Sequence, residues 1–264
     1  MLKEKEFTKV TKEDSWCKNL WRRLRELQRD EIEGKNIIAS IKHEVFQTKG
    51  DDEGYFEFNV SSKKSLKSGY KTIDLQIENN PDIKKAMATV IGSEPLVGII
   101  SDFDDTIIVS DVNNKIKLGF NTMFKNYKQR TIVPSMLERF NKILAQNPKN
   151  SPSTLFVLSG SPQQLFIPIN SFLDYYHFPK RVLILKKLHG DNTDSLSDQF
   201  AYKSQKIERL IKLYPNIKWL MFGDSGEKDL EVYRFIKSKY PHKVKAYYIR
   251  DVQNGEILEL DEKH

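Results

Sequence analysis

Cysteine is almost missing from this sequence: Cys17 is the only one in 264 residues. That excludes an internal disulfide and fits a reducing compartment, so a cytoplasmic location is expected. No apolar run approaches the ~20 residues that a membrane-spanning helix needs. The first dozen residues are charged throughout and hold no apolar stretch, so no signal peptide is read there. Zinc-finger spacing and the aromatic signature of RNA-binding modules are both missing, and nucleic acid is not expected as a partner. These absences leave a globular protein that is soluble or, at most, bound to a membrane surface.

What is present supports a real core, with 39% hydrophobic and 30% charged residues. The formal charge of +7 favours anionic partners in general, although much of it is lysine spread along the chain as a solvated surface. Four zones follow from the patterning. Residues 1–35 contain an amphipathic helix over 15–29, with Trp16, Leu20, Trp21, Leu24 and Leu27 on one side and Lys18, Arg22, Arg25 and Arg29 opposite. Such a stripe commonly packs on the body of its own protein. Trp16 and Trp21 beside basic residues also suit a helix lying in an anionic membrane interface.

In the second zone, 36–93, the period switches to two. Phe56, Phe58 and Val60 alternate with polar residues, as do Ile73, Leu75 and Ile77. These read as half-buried strands of a small antiparallel sheet, separated by turns at Gly50–Gly54 and around Gly69. The third zone, 94–252, holds short continuous apolar runs at 96–100, 154–158, 182–185, 219–222 and 246–249. Helical patterns lie between them at 136–144, 164–175, 205–213 and 230–239. Buried strands alternating with helices predict a Rossmann-like, doubly wound parallel sheet. Residues 253–264 are polar and acidic and read as a tail.

Ligands of open α/β sheets bind beyond the carboxyl ends of the strands. Three of the apolar runs end in polar clusters: Ser101-Asp102-Phe103-Asp104-Asp105-Thr106, Ser159-Gly160-Ser161, and Gly223-Asp224-Ser225-Gly226-Glu227-Lys228-Asp229. Carboxylates crowded at a strand end repel one another unless a cation lies between them. Oxygen donors with neither cysteine nor histidine nearby, His189 excepted, suit Mg²⁺ and a phosphate.

Asp102-x-Asp104-x-Thr106, Ser159, a lysine at a helix start and Gly223-Asp224-x₄-Asp229 resemble, in order, the four motifs of haloacid dehalogenase phosphatases. The strings running from Gly98 to Ile107, Leu158 to Leu165 and Phe222 to Asp229 resemble more closely the catalytic domain of the actin-patch phosphatidate phosphatase family, and the resemblance spans about 51–251. It implies that Asp102 attacks phosphorus to form an aspartyl-phosphate and that Asp104 protonates the leaving oxygen and then activates water. It also implies that Mg²⁺ is held by Asp102, Asp224, the Asp104 carbonyl and Asp229, and that Thr106 and Ser159 bind the loop and the phosphoryl oxygens. The lysine is Lys203, with Lys206 as the alternative. Each residue has a plainer reading: Asp105 and Thr106 as helix-cap residues, Ser159 in a turn, Asp229 as a helix-start charge and Lys203 as a surface lysine. Ser161, Gln163 and His189 either line the pocket or serve turns and loops.

Many relatives of that superfamily carry an inserted cap domain. The intervals 106–154 and 161–203 leave little room for one, so a capless, open site is expected, suited to a phosphate on something large. The implied substrate is phosphatidate, a phospholipid, giving diacylglycerol and phosphate. Phosphatases of phosphoproteins or soluble esters and a non-catalytic phosphate-binding scaffold are the alternatives. A receiver-type phosphorylation switch is disfavoured by motif order, since its acidic pair and its phosphoacceptor follow different strands.

Overall fold

The structure, a computed structural model, describes residues 10–15, 18–19, 33–42, 44–52, 54–61, 66–109, 126–187 and 198–260. Trp16, Trp21 and most of the helix expected over 15–29 lie outside the described residues, as does His189. Both intervals in which a cap could be inserted also contain residues outside them.

Two sheets organise the chain. The first is antiparallel, in the order β2-β1-β3-β4, built from β1 (Asn36–Ile41), β2 (Glu44–Lys49), β3 (Gly69–Ile77) and β4 (Ile83–Val90). Ile37, Ala39 and Ile41 alternate with half-buried neighbours and bury one face together with Ile77. Phe56, Phe58 and Val60, read from their alternation as a strand, form none: residues 55–60 are irregular, and Phe56 and Val60 are exposed. Alternation shows which side of an extended segment is apolar, but a ladder also needs a neighbouring strand in register.

The second sheet has six strands in the order β10-β9-β8-β5-β6-β7. β5 (Leu96–Ser101), β6 (Leu155–Pro162), β7 (Arg181–Lys186), β8 (Ile217–Asp224) and β9 (Val244–Arg250) run parallel. β10 (Ile257–Leu260) is antiparallel to β9 and lies inside the segment read as a polar tail. Its Ile-Leu-Glu-Leu run is too short to stand out from the polar residues around it, yet it completes the edge of a sheet already formed. The fold is thus mixed α/β, with a largely parallel sheet beside an antiparallel one.

Side chains on the parallel strands alternate between two cores. Ile99, Val157 and Phe222 pack with Met136 and Phe140 of α1 (Pro134–Leu144) and with Ile169 and Phe172 of α2 (Phe166–Tyr175). Ile100, Phe156 and Met221 pack on the opposite face with Ile207 and Leu210 of α3 (Gln199–Leu213) and Val232 and Ile236 of α4 (Asp229–Lys239). Both sheet faces are therefore covered by helices, which is why the strands read as continuous apolar runs. Gly98 gives Trp219 its place: a Cβ there would stand 2.7 Å from the indole ring.

From β5 the chain builds outward through β6 and β7, then returns to the other side for β8 and β9. That reversal opens a crevice at the carboxyl ends of β5 and β8. The antiparallel sheet docks along the β7 side. There the Ser153 N–H donates to the Tyr70 hydroxyl at 2.8 Å, and ion pairs join Lys187 to Asp51 and Arg209 to Glu57. The N-terminal stretch is tied to the turn at 126–130: the Asn126 side chain donates to the Thr11 carbonyl at 2.8 Å, and Asn19 donates to Gln129 at 2.8 Å.

Candidate active site

Asp102 is the first residue beyond β5. Its N–H donates to the Phe222 carbonyl of β8 at 2.8 Å, which continues the ladder and fixes where the side chain emerges. Asp105 then adopts a left-handed conformation (φ 53), a conformation that Asp tolerates better than most residues. Arg250 donates to its carbonyl at 2.8 Å. The turn sends the Thr106 N–H back to the Asp104 carbonyl at 2.7 Å.

On α3, Asp198 caps the helix by accepting the Ala201 N–H at 2.9 Å, and Lys203 follows on the second turn. Lys203 is 1% exposed. Its ammonium donates to Asp102 Oδ1 at 2.9 Å, to Glu227 Oε2 at 3.0 Å and to Asp229 Oδ1. Lys206, the alternative, lies over the Tyr202 ring at 5.4 Å and makes no ion pair with these carboxylates.

Asp224 ends β8, and its Oδ1 accepts the N–H groups of Gly226 at 2.6 Å and Glu227 at 3.2 Å. Asp229 opens α4, fully buried, and its Oδ2 accepts the Asp224 N–H at 3.2 Å. This close return depends on Gly223: a Cβ there would stand 2.5 Å from the Cβ of Asp229. Asp102, Asp224 and Asp229 each offer an oxygen, all within 4.8 Å of one another. Asp102 Oδ2 and Asp224 Oδ2 are buried without a hydrogen-bond partner among the described residues. With Glu227 the group holds four carboxylates, three of which pair with Lys203. Two orphaned oxygens in so acidic a buried group fit a hard divalent cation.

The Asp104 carboxylate stands outside that trio. Ser161 Oγ donates to its Oδ2 at 3.3 Å, and Arg130 lies 3.9 Å from its Oδ1. Its carbonyl, the atom expected to contribute to a cation, accepts the Thr106 N–H. Ser159 Oγ accepts the Ser161 N–H at 3.0 Å and so braces the turn, while the Ser159 carbonyl accepts from the Tyr202 hydroxyl at 3.1 Å. Thr106 is fully buried, and its hydroxyl has no partner among the described residues.

Burial pushes the Asp102 carboxyl well above the usual range, against the pull of Lys203. Burial, followed by Asp229 and Glu227, pushes Asp224 up to about 7. Asp229 is raised by burial and Asp104 likewise, the latter opposed by Arg130. Burial alone would lower Lys203, but Asp102, Asp229 and Glu227 outweigh it and hold the ammonium charged. Like charges in a desolvated space thus retain protons unless a cation replaces them.

Sequence reasoning missed Arg130 and the contact of Glu227 with Lys203. Glu227 sits inside the cluster that ends β8, and its acidity was a usable signal. Arg130 stands 26 positions after Asp104 with no motif around it, and only folding brings the two together.

The family model for the catalytic domain of phosphatidate phosphatase APP1 matches residues 97–251, more than half of the chain and all of the carboxylate group. Among curated proteins, phosphatidate phosphatase APP1 of Saccharomyces cerevisiae is 29% identical over 189 residues, which cover 70% of this chain and 31% of that protein. An uncharacterized protein of Schizosaccharomyces pombe is 25% identical over 228 residues, covering 83% of this chain and 36% of its own length. The chain therefore spans about a third of the length of these relatives. No solved structure matches significantly. On the extent of the family match, the chain belongs to the family of the phosphatidate phosphatase APP1 catalytic domain.

Proposed function

We propose that this protein is a Mg²⁺-dependent phosphatase with a haloacid dehalogenase-like catalytic fold, and that it converts phosphatidate to diacylglycerol and inorganic phosphate through an aspartyl-phosphate on Asp102. The observation that carries the reading is the pairing of Asp102 with Lys203 at a strand end, beside two carboxylate oxygens that lack partners. The lipid part of the reading rests on family membership and on the name of the yeast relative.

Lys203 holds one oxygen of Asp102 and sets the rotamer of the attacking carboxylate. The Asp102 oxygen forms a bond to phosphorus as the bond from phosphorus to the lipid oxygen breaks, and Asp104 delivers a proton to that leaving oxygen. Asp104 then takes a proton from water, which attacks the aspartyl-phosphate and releases phosphate. Ser161 and Arg130 position the Asp104 carboxyl for both transfers. A divalent cation held by Asp102, Asp224 and Asp229 would supply the positive charge that keeps those carboxylates ionised and offsets the phosphoryl oxygens. The Trp16–Trp21 helix as a membrane contact, and a cytoplasmic location with peripheral attachment, belong to the same proposal.

The test is phosphate release from phosphatidate in mixed micelles with Mg²⁺ and with excess EDTA, alongside p-nitrophenyl phosphate. Release from phosphatidate that needs Mg²⁺ and exceeds release from the soluble ester supports the proposal. Turnover of the soluble ester alone removes the lipid, and no release from either removes the enzyme.

A further inference from the structure

Asn126 and Gln129 bound the single 3₁₀ turn Tyr127–Gln129 as a capping box. Asn126 Oδ1 accepts the Lys128 N–H at 3.0 Å, and Gln129 Oε1 accepts the Asn126 N–H at 3.0 Å. The rest of both amides reaches a segment 107–117 positions upstream. Asn126 Nδ2 donates to the Thr11 carbonyl at 2.8 Å and to Asn19 Oδ1 at 3.2 Å. Gln129 Nε2 donates to the carbonyls of Lys12 at 2.7 Å and Asp14 at 2.9 Å. Its Oε1 accepts a second bond, from Asn19 Nδ2 at 2.8 Å. Gln129 thereby uses both donors and both acceptor sites of its amide. Asn19 is 2% exposed and Asn126 3%, so these bonds lie out of water, where an amide stripped of its partner is costly. Asp14, also buried, ties the upstream segment to itself by accepting the Thr11 N–H at 3.0 Å and the Thr11 hydroxyl at 3.1 Å.

Arg130 is the next residue. Its carbonyl accepts the Tyr176 hydroxyl at 2.6 Å, and its guanidinium lies 3.9 Å from Asp104 Oδ1. Beyond it, the Val133 N–H donates to the Ile107 carbonyl at 2.8 Å, which pins the chain to the loop that carries Asp102 and Asp104. The Arg130 backbone is therefore held on both sides, by that loop and by residues 11–19. A long side chain aims its guanidinium only as well as its backbone is placed. Residues 11–19 lie outside the 97–251 match to the family's catalytic domain, so no catalytic motif marks them.

We propose that residues 11–19 form a brace that positions Arg130 against Asp104, which makes this segment part of the catalytic unit. Asn19, Asn126 and Gln129 are positioning residues that act through Arg130 on the carboxyl that protonates the leaving oxygen. The proposal rests on the phosphatase reading above for its chemistry and on the hydrogen-bond network for its geometry.

Two measurements on the full chain test the brace. In the first, the Nε–Hε NMR signal of Arg130, identified by its loss in Arg130→Lys, is followed in Asn19→Ala and Gln129→Glu. Gln129→Glu keeps the acceptor of the capping box and removes the donor to the Lys12 and Asp14 carbonyls. The signal should shift in both variants and stay in place in Lys18→Ala, which removes an ion pair with Asp14 inside the segment. In the second, kcat/KM is compared for phosphatidate and for its analogue with sulfur as the bridging atom, whose thiolate leaves without a proton. Asn19→Ala and Gln129→Glu should lose about tenfold more on phosphatidate than on the analogue, while melting curves show them folded. A merely structural role would lower both substrates alike. An unmoved Arg130 signal, or equal losses on the two substrates, overturns the proposal. A shifted signal, with neither substrate turned over by the unaltered chain, would keep the brace and remove the phosphatase reading.

Discussion

Lys203 Nζ lies 2.9 Å from Asp102 Oδ1, both side chains almost wholly buried, while Oδ2 of the same carboxylate has no hydrogen-bond partner among the described residues. Lys203 thus holds one half of the Asp102 carboxylate in place. The same ammonium also meets Asp229 and Glu227, so it joins the carboxylate groups after β5 and β8.

Removing that ammonium should cost both turnover and stability. Lys203→Met is expected to lower kcat by about 10²–10⁴ and to destabilise the cation-free protein by about 3–5 kcal/mol, because buried carboxylates lose their partner. Adding Asp229→Asn should return much of the stability and none of the turnover. Steady-state kinetics and denaturant unfolding on the two proteins check this, and a double variant as unstable as the single one contradicts it.

Gly223 and Gly98 both admit a close neighbour, but only Gly223 serves the site. Gly98→Ala pushes on Ile217 and Trp219, whereas Gly223→Ala pushes on Asp229. Each should cost about 1–3 kcal/mol as an overpacked position. The stabilisation gained on adding Mg²⁺ should survive in Gly98→Ala and be lost in Gly223→Ala. Melting curves with and without Mg²⁺ separate the two.

Stability should depend on pH differently with and without a cation. Asp102, Asp224 and Asp229 have folded pKa values above their unfolded ones, with Asp224 moved from 3.8 to about 7. The folded state then binds more protons than the unfolded state, so stability in EDTA is expected to fall as pH rises through that window. A bound cation replaces those protons. The gap in Tm between Mg²⁺ and EDTA should therefore widen from about pH 5 to about pH 8, and a constant gap would count against a cation at these carboxylates.

Arg130 opposes the burial that raises Asp104. Arg130→Met should move the Asp104 limb of the kcat–pH profile to higher pH, and Arg130→Lys should bring it part of the way back. A purely structural role would lower activity without moving the limb.

The parallel sheet was legible because its strands are buried on both faces: runs such as Leu96–Ile100 and Trp219–Phe222 carry no polar alternation. The same runs point to Asp102 and Asp224, since the chemistry sits where each run ends. Lys203 could not be separated from Lys206 by spacing, because both follow Tyr202 within one helix and only packing turns one inward. Phe56–Val60 misled because alternation says nothing about a partner strand. β10 was hidden because four residues at a sheet edge need only a neighbour, not a strong pattern of their own. Arg130 was invisible because nothing local marks a residue whose partner is 26 positions away.

The most direct test is acid quenching during phosphatidate hydrolysis in Mg²⁺, followed by mapping of any phosphoryl group covalently attached to the protein. The account predicts a labile acyl phosphate on the peptide containing Asp102, absent from Asp102→Asn, which should also release no phosphate while remaining folded. A phosphoryl group on another residue, or steady turnover by Asp102→Asn, would contradict it.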